Sequence, residues 1–95
     1  AEGFRHHNPW FRGDAASLAA GMAENAAKNP GKVCEVKQAV QEGDRVALLS
    51  HVRHNADERG FAVAHIFRFE DGRIAELWDL AQAIPEAMAN ENGMF

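Results

Sequence analysis

The chain contains one cysteine, Cys34, among 95 residues. A lone thiol cannot close an internal disulfide, so the fold must hold without that crosslink, as suits a reducing, cytoplasmic compartment. Long apolar runs are also missing: none exceeds four residues, as at Val46–Leu49, against about 20 for a membrane-spanning helix. Basic clusters are absent, and Lys and Arg are scattered singly through a chain of formal net charge −4. That balance disfavours nucleic acid or an anionic membrane surface as a partner. The chain has no internal repeat, no low-complexity segment, no GxSxG elbow, no phosphate loop and no HExxH pair. Each missing motif removes a reaction class that depends on it.

The apolar content of 46% and charged content of 25% are those of a soluble globule. The length predicts a single domain over residues 1–95. A domain of this size buries only about 60–65% of its unfolded surface, which leaves it marginal unless it pairs with another subunit.

"HHNPWFRGD" (6–14) reads as a loop, because Pro9 biases Asn8 away from helix and Gly13 interrupts regular structure after it. From Asp14, a good N-cap, residues Ala15, Leu18, Ala19, Met22 and Ala26 form an apolar stripe at helical spacing. Gly21 weakens this helix by about 1 kcal/mol relative to Ala, and Asn29-Pro30-Gly31 stops it. "VCEVKQAVQ", "RVALLSHVRH", "FAVAHIFRFE" and "RIAELWDLAQA" come next as four strands, with turns at 42–44 and 71–72 and a looser loop at 55–60. Four consecutive antiparallel strands after a helix, with no crossover helices, predict an α+β fold. Its sheet must curve strongly to cup one helix, giving a cone-like barrel.

Asp79 lies among Leu77, Trp78, Leu80 and Ala81, so its carboxylate either faces solvent or sits in a pocket. The last hairpin decides between them. A two-residue loop at Asp71-Gly72 pairs Glu70 with Arg73 and sets Ala64 opposite Asp79. A type I turn with Gly72 as a left-handed bulge pairs Phe69 with Arg73 and sets Val63 opposite Asp79. The second register is preferred, because it gathers Phe61, Val63, His65 and Phe67 with Ala75, Leu77, Asp79 and Ala81 on one concave face. An apolar pocket with one acid and one imidazole suits a small-molecule ligand.

"HNPW", "EGDRVALLSHV", "FAVAHIFRFEDGRIAELWDLAQAIP" and "NGMF" together resemble the SnoaL-like polyketide cyclases of the nuclear transport factor 2-like superfamily. The resemblance runs from about His7 to Phe95. It implies a curved sheet cupped around helices, a deep apolar pocket and a homodimer. It also implies aldol ring closure without cofactor or metal, with the acid–base aspartate at Asp79. Two departures stand out. "VAHIFRF" is similar to the ketosteroid isomerase segment whose oxyanion-hole acid would fall at His65, and the isomerase base would fall at Asn8, which cannot act as one. Family members also carry a helical segment before "HNP"; its absence here implies N-terminal helices missing and a pocket unroofed or completed by another subunit.

Asp79 and His65 are therefore the expected catalytic pair: Asp79 takes a proton alpha to a carbonyl, and His65 or Asn8 steadies the enolate oxygen. In apolar surroundings the Asp79 pKa should rise. The competing readings are a solvent-facing or Arg-paired Asp79 and a structural His65. His7, Asn8, Phe61, Val63, Phe67 and Leu77 are the expected contacts of a small apolar carbonyl ligand, with His7 at the rim. His51 and His54, three apart on a strand, point to opposite faces and cannot share a metal. Cys34 reads as a small apolar strand residue. Trp78 is expected on the outer face, where Ile74, Trp78 and Leu80 would form a homodimer contact. Residues 88–95 read either as disordered or as docking through Met94 and Phe95 on a neighbouring edge. The alternative function is a non-catalytic binding or dimerisation module on the same cup. Water activation at Asp79 for epoxide hydrolysis ranks last, because it needs a pocket arginine and Arg68 points away.

Overall fold

A computed structural model describes residues 3–95. The elements in chain order are β1 (Arg5–His7), α1 (Ala15–Lys28), β2 (Val33–Glu42), β3 (Arg45–Arg53), β4 (Phe61–Glu70) and β5 (Arg73–Ala83). The strands form one curled mixed sheet in the order β1-β5-β4-β3-β2, so the α+β expectation holds. The strand count differs by one. His6 and His7, read from sequence as loop, belong to β1, which pairs parallel to β5 with His6 beside Leu77 and His7 beside Trp78. A three-residue parallel strand is too short to show alternation, and the neighbouring Pro9 hides it.

The β4–β5 hairpin matches neither expected register. Asp71 and Gly72 both have positive φ, 53° and 76°, and Glu70 pairs with Arg73. This is the two-residue loop with both central residues left-handed, the geometry that Asp-Gly favours. Further along, Phe69 pairs with Ile74 but Arg68 pairs with Glu76, leaving Ala75 as an extra residue in β5. That bulge restores the alternation that the turn would have inverted. His65 therefore lies directly opposite Asp79, and Val63 opposite Ala81.

Helix α1 starts where the capping signal places it. The Asp14 carboxylate accepts from the Ser17 backbone N–H at 2.8 Å and from Ser17 Oγ at 2.8 Å, and Lys28 pairs with Glu24 one turn back. Of the expected stripe only Leu18 is buried, and Met22 is 60% exposed, so the helix bridges the mouth of the curl without filling it. Gly21 has a packing reason: a Cβ there would overlap the Phe11 ring, which lies against the helix. At the other end of the chain, the Phe95 ring stands 4.9 Å from His51 and beneath the Lys37 ammonium, docking the terminus on β2 and β3.

The core is small. Leu18, Val63 and Ala75 are the buried apolar residues. The chain exposes 6796 Å², where a compact monomer of this mass exposes about 5,400 Å². Its radius of gyration is 14.6 Å, against about 12 Å for a tightly packed chain of this length. Ile66, Ile74 and Leu80 are 39%, 38% and 65% exposed.

The outer face is organised around Glu76. Arg5, Glu76, Arg68 and Arg45 lie side by side across four strands. Glu76 accepts from His7 Nε2 at 2.6 Å, Arg5 at 3.2 Å and Arg68 at 3.2 Å. The His7 hydrogen bond leads in holding the Glu76 carboxyl below its ordinary value, with Arg68 and Arg5 adding to it against desolvation. A depressed pKa gives stability that is present above the unfolded value and is lost as pH falls through the folded one. Wild type should therefore lose thermal stability as pH drops below about 4.5, the ordinary Glu value. Glu76→Gln should melt lower at pH 7 and lose less on acidification. Parallel acid-loss curves for the two proteins, followed by circular dichroism, would refute the assignment.

Candidate active site

Alternation along the strands puts Phe61, Val63, His65 and Phe67 of β4 on one face with Leu77, Asp79 and Ala81 of β5. This inner face, the loop 8–11 and helix α1 border a half-open cavity of about 610 Å³, within the range of small-molecule sites. Asp79, His65, Asn8, Phe61 and Val63 line it. Phe67 and Leu77 share the face but lie beyond the cavity wall. His7 does not reach the cavity at all. Its ring stacks on Trp78 at 5.1 Å and 12° on the outer face, bonded to Glu76. The expectation of His7 at the rim is thus corrected, because parallel pairing beside Trp78 turns it outward. Arg68 also faces out, toward Glu76.

Each oxygen of Asp79 meets one donor. His65 Nε2 lies 3.3 Å from Oδ1, and Asn8 Nδ2 donates to Oδ2 at 2.7 Å. The Asn8 amide has only one workable orientation, since its Oδ1 accepts the Trp10 N–H at 2.9 Å. Behind it, His6 is buried. Its Nδ1 accepts the Asn8 N–H at 3.2 Å, and its Nε2 bonds the Arg12 carbonyl. These partners fix the tautomer, with the hydrogen on Nε2. His6 was not legible as a site residue, because sequence carried no sign that residues 5–7 form a strand. The chain of contacts runs from strand β1 through His6 and Asn8 to the carboxylate.

The donors decide the charge of Asp79. The hydrogen bond from His65 leads in holding its carboxyl below the ordinary 3.8; desolvation pushes the other way, and Asn8 adds to the lowering. The expected rise is overturned, because hydrogen bonds to the ionised form outweigh partial burial. Asp79 is a carboxylate at neutral pH. Among the described residues, no three His, Cys, Asp or Glu side chains converge as a metal site. His54 pairs with Glu58 at 3.1 Å, and the His51 ring bonds the Arg59 carbonyl. No helix among the described residues is long and apolar enough to cross a membrane.

If Asn8 is held for Asp79 by His6, then Asn8→Ala and His6→Leu should both raise the Asp79 pKa toward 3.8 from below. Carbon-detected carboxyl titration by NMR measures this directly. An unshifted Asp79 in both variants would break the relay.

A family model described as a SnoaL-like domain matches residues 1–77. AclR, a candidate hydroxylase from Streptomyces galilaeus, superposes with a TM-score of 0.72 at 24% identity, covering 90% of this chain and 64% of that one. The chain thus spans under two thirds of AclR. A candidate SnoaL-like isomerase from Agrobacterium tumefaciens gives 0.69 at 17% identity, over 87% of this chain and 74% of its own. A candidate polyketide cyclase from Sinorhizobium meliloti gives 0.69 at 16% identity, over 84% and 73%. No curated protein sequence matches. The superpositions carry the fold alone, and the match of the family model over most of the sequence carries the kinship: the chain belongs to the SnoaL-like domain family.

Proposed function

We propose that the chain acts as a cofactor-independent isomerase or cyclase on a small, largely apolar carbonyl compound, with Asp79 as the base and His65 as its electrophilic partner. One observation carries the reading: an ionised carboxylate with a donor on each oxygen, facing a largely apolar cavity. The depressed pKa makes Asp79 a base that is always unprotonated at neutral pH, at some cost in basicity. When it takes the proton alpha to the carbonyl, its hold on the His65 hydrogen weakens. His65 Nε2–H can then donate to the developing enolate oxygen, where charge appears as it leaves Asp79. Asn8 keeps one hydrogen on Asp79 Oδ2 and has a second for substrate. In a cyclase the enolate carbon would attack a second carbonyl of the same molecule. Names of the structural neighbours, which include an isomerase and a polyketide cyclase, support the same class.

A non-catalytic binder is the second reading. It is favoured by the same two contacts, since both Asp79 oxygens are already engaged at rest. Asp79→Asn separates the two. Removing charge-assisted hydrogen bonds should cost about 1–2 kcal/mol of stability, contrary to the neutral or stabilising effect that an unpaired buried charge would give. Turnover of a carbonyl substrate should fall roughly 10²-fold or more, the scale of a positioned base. In wild type the acid limb of the rate should lie below pH 3.8, because the base form persists until pH falls through the lowered pKa. An Asn variant that melts lower yet turns over normally would make Asp79 structural.

The exposed area and the Ile66 and Leu80 side chains support a homodimer through the outer sheet face; Ile74, beyond the Ala75 bulge, pairs with Phe69 on the opposite face. Sedimentation should show a dimer at tens of micromolar, the order of magnitude of ordinary dimer affinities; a monomer there would remove this assembly.

A further inference from the structure

The cavity has a second polar end, on the side of helix α1 and strand β2. Lys32 and Asn25 line it there, with Cys34. The Lys32 Nζ donates to Asn25 Oδ1 at 2.9 Å, which leaves the ammonium two further hydrogens and leaves the Asn25 amide nitrogen as another donor. Six of the ten Lys and Arg residues, Arg5, Lys28, Lys37, Arg45, Arg53 and Arg68, pair with a carboxylate. Lys32, like Arg12, Arg59 and Arg73, has no carboxylate partner among the described residues, and what sets it apart is its place. Among those residues it is the one Lys or Arg that lines the cavity, and Asp79 is the one carboxylate that does.

We propose that Lys32 and Asn25 form a subsite for a carboxylate on the ligand, at the far end of the cavity from Asp79. The inference rests on the carbonyl-pocket reading above and names the substrate class more narrowly: an elongated keto acid. Charge sets the orientation. Ionised Asp79 repels a carboxylate and Lys32 attracts it, so only one end of such a ligand can approach Asp79 and His65. The sheet sets the length. Asp79 is on β5 and Cys34 on β2, three strand spacings across and four residues along, since Cys34 pairs through Val52 and Phe61 to Ala83, about 19 Å along the surface before the curl brings the walls together. The curl shortens the path through the cavity, and a rigid ligand of two fused rings with groups at opposite ends is the probe for it.

Calorimetric titration with two probes tests this: a naphthalene bearing an acetyl group at one end and a carboxylate at the other, and its methyl ester. The wild-type chain should bind the acid roughly three- to tenfold more tightly than the ester, the scale of a partly exposed charge-assisted contact. The preference should shrink with added salt. Lys32→Met should bring the acid down to the ester's affinity and leave the ester unchanged. Asp79→Asn should leave the preference in place, because it acts at the other end. Equal binding of both probes by wild type, or a preference that survives Lys32→Met, overturns the subsite while leaving the carbonyl pocket intact. Failure of both probes to bind overturns the pocket reading and the subsite together.

Discussion

Register in the last hairpin determines which side chains share the cavity and which face outward, and it rests on two local features that oppose each other. The left-handed Asp71-Gly72 loop, taken alone, would set Ala64 opposite Asp79 and put His65 and Asp79 on opposite faces. The unpaired Ala75 reverses that by one residue. A slip of one residue in a strand exchanges its two faces completely. With the bulge, Asp79 meets His65 within the cavity and Glu76 meets Arg68 outside it. Without the bulge, an aspartate would face the arginines and a glutamate would face the apolar cup. Ala75 is 3% exposed, so the side chain at the bulge is fixed by packing as well as by backbone.

Glu76 and Asp79 show how one strand can host two carboxylates with different uses. Both are held ionised by donors, not by solvent. Glu76 is saturated by two guanidiniums and an imidazole, an arrangement that crosslinks β1, β5 and β4 and leaves no room for a substrate. Asp79 has one imidazole and one amide and no guanidinium, and its surroundings open into the cavity. A group with strong permanent partners cannot release them during a reaction, whereas weaker partners can be redirected to a substrate oxygen. The difference in donor type thus separates structure from chemistry more clearly than burial does.

Much of the architecture was legible because its signals are local. Asp14 caps α1, Asn29-Pro30-Gly31 ends it, and alternation in 61–70 and 73–83 bounds β4 and β5 as observed. The gathering of His65 and Asp79 on one face was legible too, although the reason was different: parity survived while the turn type and the pairing did not. Three things were hidden, each for a physical cause. A three-residue parallel strand carries no periodicity, so β1 and the outward turn of His7 could not be seen. A bulge is set by packing around Ala75, which no spacing rule encodes. The direction of the Asp79 pKa depends on counting donors against desolvation, and donors brought from 71 residues away are invisible in sequence.

The small core and the large cavity are two aspects of one arrangement. An inner face that curls around about 610 Å³ of space cannot also pack against itself, and among the described residues only Leu18, Val63 and Ala75 are buried apolar side chains. Packing contacts that a filled core would supply are therefore absent along most of the inner strands. Anything that occupies the cavity restores them and binds the folded state alone, so it must stabilise the fold by mass action, about 2.7 kcal/mol at a hundredfold excess over Kd. For a chain with so few buried apolar residues, that is a large fraction of the total. The openness that makes room for a substrate also makes folding stability a sensitive reporter of what the cavity accepts.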